Sequence, residues 1–220
     1  MIALLIATEF ELKNQNYVWE DFEGLAITYI NDGLCAIIVG AGVAKVSLSL
    51  IPLTEFKEKN SEVIFINLGI AGNLADRNLA QAYMPGKFIF NTYASNESPT
   101  AGFIEACYPG INLYQGPTLA TSAMPIWEAR NKDFLSKKGA ELVDMEAYIL
   151  ASWAKQYGLT VYFIKVISDL ACEESKQNFE IGALRAIEII SHGIFELDAL
   201  ISASIEVNSC SIKKCFGIKS

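Results

Sequence analysis

Seven short runs rich in β-branched, aliphatic or aromatic residues punctuate this chain, and longer amphipathic stretches separate them. The runs are residues 2–7 (IALLIA), 25–30 (LAITYI), 35–39 (CAIIV), 62–68 (EVIFINL), 87–93 (KFIFNTY), 117–121 (PTLAT) and 160–167 (TVYFIKVI). Short runs of this composition read as strands, and their alternation with helical stretches predicts an α/β domain whose central strands are covered on both faces. Helices are predicted at 43–58, 126–138 and 145–157, the last ending against Gly158 as a C-cap, and across 177–203 with a break near Gly193. Runs 25–30 and 35–39, joined by Asn-Asp-Gly, predict a hairpin, so the sheet is mixed. Residues 94–112 carry turn formers without sustained periodicity and predict a loop or lid, and the polar stretch 205–220 predicts a loosely held tail.

At 220 residues and 52% apolar, the chain is long enough to bury a sizeable core without staples. No apolar run approaches the ~20 residues that span a bilayer, so no membrane anchor is expected. The N-terminal run lacks a preceding basic residue and meets Glu9 and Glu11 at once, an order unlike a secretory signal, so a cytoplasmic protein is expected. The net charge is −8, and arginine occurs only at 77, 130 and 185. With no basic cluster there is no footprint for nucleic acid. Five cysteines with no CxxC and the single histidine, His192, leave structural zinc and a Ser-His or Cys-His nucleophile unsupported. Cys35, inside an apolar run, reads as a small buried hydrophobe.

Ligands of open α/β sheets gather outside the carboxyl ends of strands. Here those positions hold ATEFE (7–11), GIAGN (69–73), DMEAY (144–148) and SDLA (168–171), bringing Glu9, Glu11, Glu146 and Asp169 toward one edge of an apolar core. Carboxylates there are costly unless hydrogen-bonded or given a task. Structural readings stand beside the functional ones. Glu9 or Glu11 fits a solvated strand end, Asp144 fits an N-cap for a helix starting at Met145, and Glu146 fits the first turn of that helix, where the dipole favours acids. Asp169 also fits a loop cap, and the glycine turn VGAGVAKV (39–46) fits an anion cradle or simply a tight turn.

The ordered set VGAGVAKV, INLGIAGN (66–73), VDMEAY (143–148) and IKVISD (164–169) resembles the purine nucleoside phosphorylase and nucleosidase superfamily, most of all its 5′-methylthioadenosine/S-adenosylhomocysteine nucleosidase branch. The likeness covers roughly residues 1 to 203, and it implies a single three-layer αβα domain, taken as 1–204, around a twisted mixed sheet. It implies a purine nucleoside as ligand, a homodimer, and neither metal nor cofactor. By position, Asp169 matches the acid that protonates N7 of the leaving purine, and Glu11 matches the carboxylate that orients the attacking water. Glu146 and Met145 match the pair that holds the ribose, and Ile126 matches the residue whose backbone reads the purine edge. Ile70, Ala71, Gly72 and Ser168 complete the substrate-binding set, with Lys165. Ile70 stands where the nucleosidases usually carry serine, Lys165 where they carry arginine, and Met124 and Pro125 where they carry a stacking phenylalanine. The resemblance implies hydrolysis of the N-glycosidic bond. It leaves open phosphorolysis, futalosine hydrolysis and nucleoside binding without cleavage.

Overall fold

A computed structural model describes residues 1–13, 16–91, 104–105, 116–203 and 207–218. In chain order the strands are β1 (Ile2–Ile6), β2 (Glu20–Phe22), β3 (Leu25–Asn31), β4 (Leu34–Ile38), β5 (Ile64–Asn73), β6 (Ala82–Tyr83), β7 (Lys87–Asn91), β8 (Ile104–Glu105), β9 (Thr118–Ser122), β10 (Leu142–Asp144) and β11 (Val161–Asp169). The helices are α1 (Val43–Lys59), α2 (Ala129–Lys137), α3 (Ala147–Tyr157), α4 (Glu173–Ser202) and α5 (Ser209–Cys215), with a 3-10 turn at Glu9–Leu12. Apart from β8, the predicted loop at 94–112 lies outside the described residues.

One mixed sheet runs β2-β3-β4-β1-β5-β10-β9-β7-β8, and β11 lies on the free side of β5 with β6 beyond it. The β3–β4 hairpin is antiparallel, and Asn31 closes its turn by accepting from the Gly33 N–H at 2.6 Å. β1 pairs in parallel with β4 and β5, and β5 pairs in parallel with β11. β1 and β11 are buried at every position, as strands covered on both faces must be. On one face Phe65 meets Trp153 of α3 edge-on at 5.3 Å, and the Trp153 indole N–H donates to Thr54 of α1. The residues of α4 that are buried, among them Ala186, Ile190 and Leu197, cover β11.

The αβα architecture is the one expected, and Gly158 caps α3 in the left-handed conformation. Other boundaries differ for physical reasons. GIAGN is not a turn after a strand but the carboxyl half of β5, because β11 pairs alongside through Gly72 and β10 joins in antiparallel at Gly72 and Asn73. α2 begins at Ala129 rather than 126, α4 begins at Glu173 rather than 177, and α4 runs unbroken through Gly193. A Cβ on Gly193 would lie 2.2 Å from the ring of Phe216, so this glycine serves a close contact instead of a break. That contact also corrects the expectation of a loose tail. α5 is capped by Asn208 and buries Ile212 and Phe216.

Candidate active site

The carboxyl end of β1 turns at once into the 3-10 turn, which folds Glu11 back on its own backbone. Its carboxylate accepts from the N–H groups of Ala7 at 2.6 Å and Thr8 at 3.2 Å. Glu11 is buried, and burial pushes its carboxyl up to about 7. The Thr8 N–H and the Lys165 charge pull the other way, and the Glu146 charge adds to the rise. Glu9, by contrast, is exposed and faces a neighbouring cleft.

The DME segment joins β10 to α3. Asp144 ends the strand, Glu146 occupies the N-cap, and the helix starts at Ala147, so the expected cap is displaced by two residues. Asp144 still accepts from the Ala147 N–H at 2.9 Å, yet its main partner is Lys165, whose Nζ lies 2.9 Å from Oδ2. Thr121 of β9 donates to the other oxygen at 2.7 Å. Lys165 is 1% exposed. Burial opposes its charge, but Asp144, Glu146 and Glu11 outweigh it and raise the ammonium above the ordinary lysine value.

Glu146 accepts from the N–H groups of Gly42 at 2.7 Å and Met145 at 3.3 Å. Burial and the Asp144 charge raise its carboxyl above the usual range, against the pull of Lys165. The VGAGVAKV turn therefore does cradle an anion, but that anion is the protein's own carboxylate. Gly42, at φ 89°, is the N-cap of α1, a conformation that side-chain-bearing residues rarely adopt.

At the end of β11 the pairing with β5 slips by a bulge between Ile167 and Asp169. Ser168 donates to Asp169 Oδ2 and the Ala171 N–H donates to Oδ1, each at 2.7 Å. Two glycines make room for this geometry. A Cβ on Gly72 would lie 3.2 Å from Asp169 Oδ1, and one on Gly182 of α4 would lie 1.9 Å from the Ser168 carbonyl oxygen.

These elements enclose a cavity of about 360 Å³, within the size range of small-molecule sites. Its walls include Glu11, Ile70, Ala71, Gly72, Ile126, Met145, Glu146, Ser168 and Asp169, so that of the ten residues the resemblance assigns to the site only Lys165 is not among them, and Glu9 lies outside as well. Lys165 sits behind the wall, buried against Asp144. Met124 and Pro125 line the cavity as well, and aromatic rings reach it from elsewhere: Phe10, Trp127 and Phe179, the last two edge-on at 5.7 Å. Phe179 escaped the sequence reading because it lies within the predicted helix at 177–203, away from the strand ends where ligand-facing residues were sought. His192 is exposed on α4, away from the cavity. Among the described residues no three His, Cys, Asp or Glu side chains group as a metal site, and no helix is long and apolar enough to cross a membrane.

With this geometry in place, the sequence profile of the Phosphorylase superfamily matches residues 2–194. The chain belongs to that superfamily. Its fold is that of solved superfamily-type structures, including futalosine hydrolase of Helicobacter pylori (TM-score 0.72, 18% identity, covering 92% of this chain and 97% of that one). A putative 5′-methylthioadenosine/S-adenosylhomocysteine nucleosidase of Francisella philomiragia matches at TM-score 0.72 and 20% identity, covering 90% and 98%. The Helicobacter pylori 5′-methylthioadenosine/S-adenosylhomocysteine nucleosidase, complexed with a pyrrolidine-based compound, matches at 0.72 and 18%, covering 92% and 97%. No curated protein matches the sequence. At these identities the superfamily fold is shared, and chemistry has to be argued from the side chains.

Proposed function

We propose that this superfamily member is a nucleosidase: water cleaves the N-glycosidic bond of a purine nucleoside of the methylthioadenosine or S-adenosylhomocysteine type, releasing free base and a ribose derivative. One observation carries the choice of water. The cavity wall presents four carboxylates, Glu11, Asp144, Glu146 and Asp169, and among the described residues no lysine or arginine. A phosphate nucleophile would meet this carboxylate-rich wall with no cationic donor on it, whereas phosphate sites use arginine or several donors. Arg77 is committed to Glu141, and Arg130 and Arg185 lie outside the cavity.

In this reading the C1′–N9 bond breaks as its electron pair moves to the base, and Asp169 supplies the proton to N7, so that a neutral purine leaves. Glu146 accepts hydrogen bonds from the sugar hydroxyls and faces the positive charge that develops on the ring, while the Met145 thioether packs on the sugar. Glu11 takes a proton from the water whose oxygen bonds to C1′. The backbone at Ile126 reads the purine edge, and Trp127 and Phe179 supply flat apolar surface in place of the stacking ring absent at 124–125. Ile70 offers the water no hydrogen bond through its side chain, so Glu11 orients it. We further propose a cytoplasmic homodimer, supported by Leu48 and Ile51, exposed at 79% and 73% on α1.

The test is chromatographic detection of free base from a nucleoside panel with and without phosphate. Adenine released from methylthioadenosine in phosphate-free buffer is the expected result. Strict phosphate dependence overturns hydrolysis, and base release from futalosine alone moves the substrate, a reading favoured by the equal fold likeness to futalosine hydrolase. Binding without any release would leave a nucleoside-holding protein.

A further inference from the structure

Behind the wall lies one buried cation, Lys165, on which the charges of three wall carboxylates, Asp144, Glu146 and Glu11, act together. Lys165 and Glu11 approach the same point: a Cβ on Gly69 would lie 3.0 Å from Glu11 Oε1 and 3.3 Å from Lys165 Nζ. Only a residue without a side chain leaves that space to the two charged groups. Lys165 is nevertheless not bonded to Glu11. Its short contact is with Asp144, and Asp144 is fixed from two further directions by the Thr121 hydroxyl and the Ala147 N–H. Thr121 in turn accepts from the Tyr148 N–H at 2.8 Å, tying the pair to both β9 and α3.

We propose that Asp144 is a positioning residue: it clamps Lys165 behind the cavity wall, so that the ammonium acts on Glu11 through its field, at short range but without a salt bridge and without touching the substrate. The inference rests on the reading of Glu11 as the carboxylate that orients water. A direct ion pair would neutralise the base, and no cation at all would leave Glu11 protonated in its dry setting. The charged groups acting on Glu11 are Lys165 from β11 and Glu146 at the start of α3, while Asp144 of β10 is held against Lys165. From α4 the nearby charge is Glu188, which pairs at the surface with Lys13. Burial raises Glu11 and Lys165 opposes that rise, in keeping with action at a distance.

The experiment follows the Glu11 carboxyl by 13C NMR titration of the full chain labelled at glutamate side-chain carboxyls, the resonance being identified by its loss in Glu11→Gln. Lys165→Met is expected to raise the Glu11 midpoint by one pH unit or more, and Asp144→Asn to lower it as the freed ammonium swings onto Glu11. The double variant should behave as Lys165→Met alone, because Asp144 matters only while it holds the cation. Lys165→Arg should titrate as wild type. In turnover, Lys165→Met should lower kcat at pH 7 about tenfold with KM within threefold, and its pH profile should shift with the NMR midpoint. Should either single variant not fold, the charge-balanced double variant and Lys165→Arg still decide the matter. An unmoved midpoint in the double variant, or an Asp144→Asn shift that persists without Lys165, overturns the proposal. If wild type releases base from no nucleoside, the hydrolase reading falls while the titrations still stand or fall by themselves.

Discussion

The two ends of the cavity are built on different physics. At the end formed by β1, β10 and the start of α3, Glu11, Glu146, Asp144 and Lys165 are all buried and nearly every carboxylate oxygen has a fixed donor, mostly backbone N–H. At the other end one carboxylate, Asp169, stands among Ile126, Trp127, Ala171 and Phe179. The first end is a preset charge field, suited to a sugar that becomes cationic and to water. The second is an apolar slot with a single carboxylate, to which the proposed reaction gives the proton transfer to a flat heteroaromatic base. Crowding of charge thus separates the two tasks, and each variant below should damage one end and spare the other.

The largest effect is expected from Asp169→Asn, which keeps the shape of the base end and removes its acid. kcat should fall by roughly 10²–10⁴ with nucleoside binding retained, and a fall of less than tenfold would remove Asp169 from the chemistry. Glu11→Gln should lower kcat by about 10² at pH 7, and the wild-type kcat/KM should climb with pH through about 7 as Glu11 loses its proton.

The same substitution has an opposite effect on stability. Folding raises the Glu11 carboxyl from an ordinary 4.5 to about 7. The folded chain therefore binds that proton more tightly than the unfolded one, so the stabilisation is complete below 4.5 and is lost as pH rises through 7. Glu11→Gln escapes this loss and should be more stable than wild type at pH 8, by up to about 3 kcal/mol, and equal to it at pH 4. Denaturant titrations at the two pH values check both limbs.

Gly182→Ala forces α4 away from the Ser168 carbonyl and should destabilise by about 1–3 kcal/mol, with activity lost at the base end. Smallest is Phe179→Ala, expected to raise KM roughly fivefold, about 1 kcal/mol of ring contact, with kcat little changed. An unchanged KM would show that Phe179 only supports Trp127.

Much of this was legible in the sequence, and the failures share a cause. The strands of the core, the hairpin at Asn31–Gly33 and the cap at Gly158 follow from local patterns, and the structure keeps them. Of the ten residues that the family resemblance assigned to the site, nine line one cavity, while Glu9, also chosen from a strand end, lies outside it. What local pattern misjudged depends on distant partners. Gly69 and Gly72 look like turn residues, but β10 and β11 hold them in a strand, where their missing side chains make room for Glu11, Lys165 and Asp169. Asp144 reads as a helix cap because its neighbours in sequence suggest one. Its ion pair exists only because β5 brings β10 and β11 to the same strand end.

Gly182 and Gly193 lie eleven residues apart on α4, about three full turns, and so on nearly the same side of the helix. At Gly182 that side rests against β11, and at Gly193 it rests against Phe216 of the C-terminal segment. α5 therefore continues, beyond the sheet, the floor on which α4 lies, like a prop under an overhanging beam. A protein engineer who trims the last dozen residues as dispensable would remove that prop and bare the side of α4 at Gly193 on which Phe216 rests, opening an apolar patch to other molecules.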